Sequence, residues 1–226
     1  MTNENAPQLA NATIAVIGGT GPQGRGLARR FAAAGLDVVL GSRSSERAEA
    51  AASELAAETG GQVRGLGNES AAAVGDVVLI VVPWDGHAEL VTELAPHLIG
   101  KVVADCVNPL GFDKLGAYAL PVAEGSATEQ AAALLPDSKV VGAFHNVSAA
   151  LLNDPDASLI ETDVVVVGDD RGATDVVQAL AATIPGMRGV YGARLRNAHQ
   201  VEALTANLIS INRRYQAHAG IRITDV

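Results

Sequence analysis

The chain has 226 residues, of which 48% are hydrophobic and 3% aromatic, a size that suits one large domain or one domain with a smaller companion. Its formal net charge of −9 argues against sequence-independent binding to nucleic acid or to an anionic membrane. The single cysteine, Cys106, rules out an intrachain disulfide and a cysteine-based metal cluster, and it favours a reducing, cytoplasmic setting.

Residues 1–12 are expected to form a polar tail. They carry neither the basic start nor the long apolar stretch of a signal peptide. The longest apolar run of the chain is VVLIVVPW, which is too short to span a bilayer. We therefore expect no membrane segment.

Strand and helix signals alternate through the first part of the chain. The apolar, β-branched runs are nearly continuous, which is typical of parallel strands that helices cover on both faces. The predicted strands are 13–17, 37–40, 62–66, 76–82, 101–106 and 139–144. The predicted helices are 22–34, 44–58, 87–98 and a short one through residue 74 that Asn68 caps. This alternation predicts an α/β fold with a Rossmann-like, doubly wound, mostly parallel sheet.

The rest of the chain is less regular. It contains a predicted strand at 163–167, helices at 174–184 and 201–216, and a stretch at 191–196 whose type the pattern leaves open. We expect residues 13–145 to form a dinucleotide-binding domain. Residues 146–226 would then form a smaller C-terminal α/β portion that covers the coenzyme cleft at the carboxyl edge of the sheet.

A glycine-rich turn joins the first predicted strand to the first helix. Gly19, Gly21 and Gly24 form G-x-G-x-x-G in the strand–turn–helix context that a dinucleotide fingerprint requires. The first glycine is assigned to the tight turn, the second to the approach of the backbone to a pyrophosphate, and the third to close helix–strand contact. The helix N-terminus would offer free N–H groups to the phosphates, and Thr20 a hydroxyl. The alternatives are a purely structural turn and local hydrogen bonding by Thr20.

The end of the second predicted strand indicates which dinucleotide binds. NAD sites usually place a carboxylate there to hold the ribose 2′-hydroxyl, but this chain has VVLGSRSSER. Ser42 offers a hydroxyl, and Arg43 and Arg47 offer guanidinium groups that attract a 2′-phosphate. We therefore predict NADP(H). The alternative is a solvated basic helix start that Glu46 and Glu49 balance.

The chain offers no obvious proton relay. It lacks a Tyr-x-x-x-Lys pair, and its five histidines form no metal pair. His87 and His145 each follow a predicted strand, at the edge where ligands bind in such sheets, although ordinary hydrogen bonding there is the alternative. Hydride transfer between two redox cofactors needs positioning and exclusion of water rather than a strong acid or base. We expect neither a catalytic acid–base residue nor a metal site.

Five segments stand out together. They are IAVIGGTGPQGRGLA, GSRSSERAEAAA, VVPWDGH, VVGAFHNV and HQVEALTANLISINRRYQAHAGIRITDV. The glycine turn is common to many families, whereas its combination with G-S-R, V-P-W and V-E-x-L-T is much more selective. From about residue 13 to its end, the chain resembles the F420-dependent NADP reductases, also called NADPH:coenzyme F420 oxidoreductases. The resemblance implies reversible hydride transfer between NADP(H) and the deazaflavin coenzyme F420, by a homodimer.

The resemblance also implies which residues contact the two coenzymes. The expected cofactor-binding residues are Gly19, Thr20, Gly21, Pro22, Gln23, Gly24, Ser42, Arg43, Arg47, Val82, Trp84, His87, Ala88, His145, Ala149 and Ala219. The glycine turn would hold the pyrophosphate, and the basic segment the 2′-phosphate. The later residues would lie along the nicotinamide and the deazaflavin, with Ala219 contacting the deazaflavin through its backbone.

One segment departs from part of the family. Some members have Arg and Ser where this chain has His199 and Ala203, while Thr205 matches. A contact from that helix to the deazaflavin would come from Thr205, with His199 or Arg196 as substitutes. Hydrogen bonding of Thr205 to its own helix carbonyls is the alternative. His145 and Thr205 are the expected helpers of hydride transfer.

Two other functions stay open. An NADP-dependent imine or β-hydroxyacid reductase would share the N-terminal pattern, but such enzymes commonly add a long all-helical dimerisation domain, and this chain has one long C-terminal helix. A non-catalytic NADPH-binding sensor would hold the nucleotide without turnover.

Overall fold

The computed structural model describes residue 9 and residues 11–226. The strands are β1 Thr13–Ile17, β2 Asp37–Ser42, β3 Val63–Gly67, β4 Val77–Ile80, β5 Val102–Asp105, β6 Leu110–Asp113, β7 Gly116–Ala119, β8 Lys139–Gly142, β9 Thr162–Gly168 and β10 Met187–Ala193. The helices are α1 Pro22–Ala33, α2 Ser45–Thr59, α3 Asn68–Val74, α4 His87–Leu98, α5 Ala127–Leu134, α6 Ala149–Asn153, α7 Arg171–Ala182 and α8 Ala198–Tyr215, with a 3₁₀ turn at Leu195–Asn197. Across this described part, no helix is both long and apolar enough to cross a membrane.

One eight-stranded sheet organises the chain. Its order is β10-β9-β8-β5-β4-β1-β2-β3, and all neighbours are parallel except β8 and β9. Strands β3-β2-β1-β4-β5-β8 have the doubly wound order, whose direction reverses between β1 and β4. Strands β6 and β7 form a separate antiparallel hairpin. The predicted Rossmann-like, mostly parallel fold is confirmed, and the reversal places a ligand crevice at the carboxyl ends of β1 and β4.

Helices cover both faces of this sheet, which explains the continuous apolar strands. In β1, Ile14 and Val16 pack into one hydrophobic cluster, and Ala15 and Ile17 pack into the other. Successive side chains of a strand point to opposite faces of the sheet. A strand that is covered on both faces therefore has apolar residues at every position. One cluster includes residues of α1, α2 and α7, and the other includes residues of α3, α4 and α5.

Several predicted element boundaries need correction. Helix α3 has Gly67 as its N-cap without a side-chain cap, so the predicted capping role of Asn68 is wrong. The segment left open at 191–196 splits into the end of β10 and the 3₁₀ turn. Helix α7 begins at Arg171, earlier than predicted, because the side chain of Asp170 accepts a hydrogen bond from the N–H of Ala173.

Other parts of the chain give elements that the sequence pattern did not predict. They are the β6–β7 hairpin and the short helices α5 and α6. Most of the predicted polar tail lies outside the described residues, but Leu9 is buried in the core. The predicted strand at 13–17 and the predicted helix at 87–98 are confirmed to the residue.

A buried arginine fastens α6 to α1. The Arg30 guanidinium donates four hydrogen bonds, to the carbonyl oxygens of Leu151, Leu152, Asp154 and Ala157, at 2.6–2.9 Å. Burial lowers the pKa of Arg30, and these four acceptors compensate for the lost water. The arginine therefore fixes the segment that follows α6 against the first helix of the sheet.

Replacing this arginine is expected to destabilise the fold. Arg30→Met should lower the free energy of unfolding by about 3 kcal/mol, because it leaves the buried Leu152 carbonyl and three part-buried carbonyls without this donor. Urea unfolding at neutral pH measures the loss. Arg171→Met is the control, since the Arg171 side chain is 94% exposed and should change stability by less than about 0.5 kcal/mol. Equal losses in the two variants would show that the four carbonyl contacts stabilise nothing.

Candidate cofactor site

The turn between β1 and α1 leaves a helix N-terminus open. Gly18 has a φ of +79°, and its carbonyl oxygen accepts a hydrogen bond from the N–H of Gly21 at 3.0 Å. Gly21 is the N-cap of α1, it provides no side-chain cap, and Pro22 follows it. The first N–H groups of a helix lack partners within the helix and lie at its positive end. The turn therefore presents backbone donors where an anion can approach.

The glycines of this turn differ in how much space surrounds them. The residue in the left-handed conformation is Gly18, so the tight-turn role that we assigned to Gly19 belongs to its neighbour. A Cβ on Gly24 would lie 2.6 Å from the Gly18 carbonyl oxygen and 3.0 Å from the Gly19 Cα, as expected where a helix contacts a strand closely. A Cβ on Gly21 would meet only the Gly18 oxygen, at 3.4 Å. The backbone of Gly21 is therefore open on its outer side.

A cleft of about 620 Å³ lies at the point where the strand order reverses. This volume falls within the range of small-molecule and cofactor sites. It is lined by Gly18, Thr20, Gly21, Ser42, Arg43, Ser44, Arg47, Asn68, Val81, Val82, Pro83, Asp85, Gly86, Glu89, Leu90 and Glu93. Cations stand at the β2 end of the cleft, and carboxylates stand on and just before α4.

The basic end of the cleft is built by β2 and the start of α2. Ser44 caps α2 by accepting from the N–H of Arg47 at 3.3 Å, and its hydroxyl donates to Glu46 at 2.6 Å. Arg43 and Arg47 form no ion pair with a carboxylate anywhere in residues 11–226. Neither Glu46 nor Glu49 therefore pairs with these arginines, and the two exposed guanidinium groups are available to a ligand.

Asn68 is a cleft residue that sequence reasoning missed. Its Oδ1 atom is buried and accepts no hydrogen bond from the part of the chain that the structure describes. An added Cβ on Gly41 would lie 3.1 Å from that atom, so the side chain packs tightly against the end of β2. The position at a helix start suggested a cap, whereas the sheet places Asn68 directly after Gly67, which pairs with Ser42.

The predicted cofactor residues fall into two groups. Six of them line the cleft: Thr20, Gly21, Ser42, Arg43, Arg47 and Val82. Ten do not line it: Gly19, Pro22, Gln23, Gly24, Trp84, His87, Ala88, His145, Ala149 and Ala219. The side-chain amide of Gln23 donates to the Phe144 carbonyl oxygen at 2.8 Å, which ties the turn to the segment after β8.

Comparison with known proteins agrees with this geometry. The profile of the family described as NADP oxidoreductase, coenzyme F420-dependent, matches residues 13–109. An F420-dependent NADP reductase of Methanothermobacter thermautotrophicus is 39% identical over 221 residues, covering 94% of this chain and 95% of the relative. The chain belongs to the F420-dependent NADP reductase family.

Other family relatives extend the match over nearly the whole chain. The F420-dependent NADP reductase of Methanocaldococcus jannaschii is 38% identical and covers 94% of this chain and 98% of the relative. A crystal structure of a candidate F420-dependent NADP reductase from Arthrobacter sp. FB24 aligns with a TM-score of 0.79 at 26% identity, over 95% of this chain and 100% of the other. The resemblance that the five sequence segments indicated is confirmed.

In this member of the reductase family, the segment after β8 is tied to α8. The His145 carbonyl oxygen accepts from the Thr205 hydroxyl and from the Asn108 amide, each at 3.0 Å. Asn146 donates to the Thr205 hydroxyl at 2.8 Å and to the Val201 carbonyl oxygen at 3.1 Å. Thr205 therefore does not bond back to its own helix, which was the alternative for it.

The His145 ring is buried without a partner. Neither ring nitrogen forms a hydrogen bond to any residue that the structure describes, and the Asn108 Oδ1 atom is likewise buried and unpaired. Burial lowers the pKa of His145 to about 4, although the charge of Asp105 opposes this shift. The ring is therefore neutral at pH 7. Across residues 11–226, no group of three His, Cys, Asp or Glu side chains could hold a metal ion.

The low pKa of His145 predicts how stability depends on pH. Between pH 6.5 and pH 4, the unfolded chain binds a proton at this residue and the folded chain does not, so stability falls as the pH falls. Moving from pH 7 to pH 5 should cost the wild-type protein about 2 kcal/mol more than it costs His145→Gln. Urea unfolding at the two pH values measures this difference. His218→Gln, at an exposed position, should keep the wild-type pH dependence, and a matching loss in His145→Gln would refute the assignment.

Proposed function

We propose that this protein catalyses reversible hydride transfer between NADP(H) and the deazaflavin coenzyme F420. The observation that carries the proposal is the cleft, in which an uncapped helix N-terminus and two arginines without an ion pair among the described residues face one space. The relatives named F420-dependent NADP reductases support it, because they match nearly the whole chain rather than the nucleotide half alone.

The cleft residues fit NADP(H). Within the turn from Thr20 to Gln23, the N–H groups of Thr20 and Gln23 would hold the pyrophosphate, because no side chain caps α1. Pro22 has no N–H, and the N–H of Gly21 donates to the Gly18 carbonyl oxygen. Ser42, Arg43 and Arg47 would hold the 2′-phosphate through charge-assisted hydrogen bonds. The carboxylates on α4 disfavour phosphate at the other end of the cleft, so the charge distribution would set the direction in which the nucleotide lies.

The residues after β8 and on α8 would form the site of the second coenzyme. The unpaired, buried polar atoms of His145 and Asn108 are suited to meet a polar ligand there. Thr205 fixes the backbone of His145, and Ala149 and Ala219 would contribute backbone and small side chains. When bound, the nicotinamide and the deazaflavin supply the donor and the acceptor of the hydride. The chain's own residues orient the two rings and exclude water, since a neutral His145 carries no charge that would disturb the transfer.

The two parts of the chain would have different roles in binding the coenzymes. Residues 13–145 contain the doubly wound strands and would bind NADP(H), whereas residues 146–226 would cover the coenzyme cleft.

A homodimer is part of the proposal. Large apolar side chains are exposed on the hairpin and on α8, which pack against each other; they are Phe112, Leu115, Tyr118, Leu204, Ile211 and Tyr215. Light scattering of the purified protein tests whether it is a dimer. We also propose that the enzyme is cytoplasmic.

The decisive experiment mixes the purified protein with NADPH and oxidised coenzyme F420. Loss of the visible absorption band of the oxidised deazaflavin, at a rate that depends on enzyme concentration, supports the proposal. NADH should react far more slowly than NADPH. Binding of NADPH without bleaching would instead indicate a sensor, and turnover only after addition of an imine or a hydroxyacid partner would indicate the other class of reductase.

A further inference from the structure

A buried histidine lies beneath one wall of the cleft. His87 is the first residue of α4, and its side chain has no exposure to solvent. Its Nε2 atom lies 2.7 Å from Asp105 Oδ2, and its Nδ1 atom lies 3.0 Å from Gln130 Oε1. The Trp84 ring stacks on the imidazole, with the ring centroids 5.5 Å apart and the planes inclined by 30°. His87 therefore joins the end of β5, helix α5 and the loop that follows β4.

Both ring nitrogens of His87 face hydrogen-bond acceptors. The Gln130 amide nitrogen donates to the Glu124 carboxylate at 3.2 Å, which turns Gln130 Oε1 toward the imidazole. Asp105 uses Oδ1 to accept from the N–H of Val107 at 3.0 Å, which leaves Oδ2 for His87. A neutral imidazole has one N–H and an imidazolium has two, so only the charged ring satisfies both neighbours.

We propose that His87 is a positioning residue for NADP(H): as an imidazolium bonded to Asp105 and Gln130 and stacked on Trp84, it holds residues 81–86 in the shape that receives the nucleotide. Pro83, Asp85 and Gly86 of this loop line the cleft. The N–H of His87 donates to the Trp84 carbonyl oxygen at 3.0 Å, which closes the loop upon the same residue. Loss of the proton would leave one buried acceptor without a donor and would loosen the wall.

The charged groups packed around His87 favour the imidazolium. Burial disfavours the charge, but the hydrogen bond and charge of Asp105, the hydrogen bond of Gln130 and the charge of Glu202 outweigh it, so the pKa of His87 is raised above 6.5. Glu202 reaches this cluster from α8, where its carboxylate accepts from the N–H groups of Ala127 and Thr128 at the start of α5.

The single tryptophan of the chain reports on this contact. A protonated imidazole against an excited indole quenches its fluorescence, and a neutral imidazole does so weakly. Trp84 is that tryptophan. In the free protein, fluorescence should therefore rise with pH, with a midpoint above 6.5. Asp105→Asn should lower the midpoint by at least about one pH unit, and His87→Gln should abolish the transition. A wild-type midpoint below 6.5, a missing transition, or an unchanged midpoint in Asp105→Asn would each overturn the proposal.

A second measurement links the charge of His87 to the binding of NADPH, and this measurement rests on the proposed function. Calorimetry should give a Kd for NADPH about tenfold weaker in His87→Gln than in the wild-type protein at pH 7. The wild-type Kd should weaken through the same midpoint as the fluorescence, and both should shift together in Asp105→Asn. His97→Gln, on the same helix, is the control that should alter neither. If the wild-type protein binds NADPH and His87→Gln binds it equally well, the positioning role fails alone; if the wild-type protein binds no NADPH, the proposed function fails as well.

Discussion

The double replacement of Arg43 and Arg47 by alanine should raise the KM for NADPH by about 100-fold or more, while the KM for NADH stays nearly unchanged. Each guanidinium group that meets a phosphate contributes a charge-assisted hydrogen bond of about 1.5–3 kcal/mol, and about 1.4 kcal/mol corresponds to a factor of ten. Arg43→Ala alone should therefore raise the KM for NADPH about tenfold. NADH has a hydroxyl in place of the 2′-phosphate, so it loses little binding free energy when the two arginines are removed.

The structure offers a matched control for this experiment. Arg171 and Arg194 are also exposed arginines, and they line a separate cleft of about 420 Å³ beside β10 and the start of α7. Replacing both by alanine removes the same net charge without touching the cleft where the strand order reverses, so the KM for either nucleotide should stay at the wild-type value. Equal losses with NADPH and NADH in the Arg43/Arg47 variant would contradict the assignment of these residues to the 2′-phosphate.

The doubly wound half of the fold was predictable because its signals are local. A strand that is buried on both faces appears in the sequence as a continuous apolar run, as in β1. The glycine turn and Pro22 mark the start of α1 within the same stretch. The basic segment follows β2 directly, so it too was visible in the sequence. Parallel order then places these segments together at one edge of the sheet.

Residues whose role depends on distant partners were not predictable in this way. Arg30 looks like an exposed helix residue, and only the return of the chain after α6 gives it four carbonyl partners. Glu202 belongs to the V-E-x-L-T segment, but its buried position at the start of α5 depends on a contact between residues 74 positions apart. Asn68 shows the same limit, since the position that suggested a cap is occupied by a cleft residue.

The β6–β7 hairpin was missed for a different reason. Its strands have four residues each, half-buried or exposed, so they carry neither a long apolar run nor a clean alternation. The turn does have a local signal, because Asp113 Oδ1 accepts from the N–H groups of Leu115 and Gly116. Asp followed by Gly three positions later is typical of such a turn, and weighting it more heavily would have indicated the hairpin.

Replacing single glycines of the turn is expected to separate phosphate binding from folding. Gly21 has backbone angles that alanine adopts freely, with φ −78° and ψ 163°, and an added methyl group would contact only the Gly18 oxygen at 3.4 Å. Gly21→Ala should therefore fold with an unchanged Tm. Because Gly21 lines the cleft, the methyl group would keep the pyrophosphate from the N–H groups of α1 and weaken the Kd for NADPH by about tenfold or more.

Gly24→Ala should behave differently, because its methyl group would meet backbone atoms that cannot rotate away. The Gly18 carbonyl oxygen would lie at 2.6 Å and the Gly19 Cα at 3.0 Å, so the helix must shift from the strand. Such overpacking typically costs about 1–3 kcal/mol, or roughly 5 °C in Tm for a chain of this size. Gly172→Ala is the control, since it adds a methyl group at the start of α7 with a single contact at 3.4 Å, and should alter neither Tm nor Kd. If Gly21→Ala bound NADPH as tightly as the wild-type protein, the pyrophosphate would not lie against Gly21, and the assignment of this turn to the pyrophosphate would be wrong.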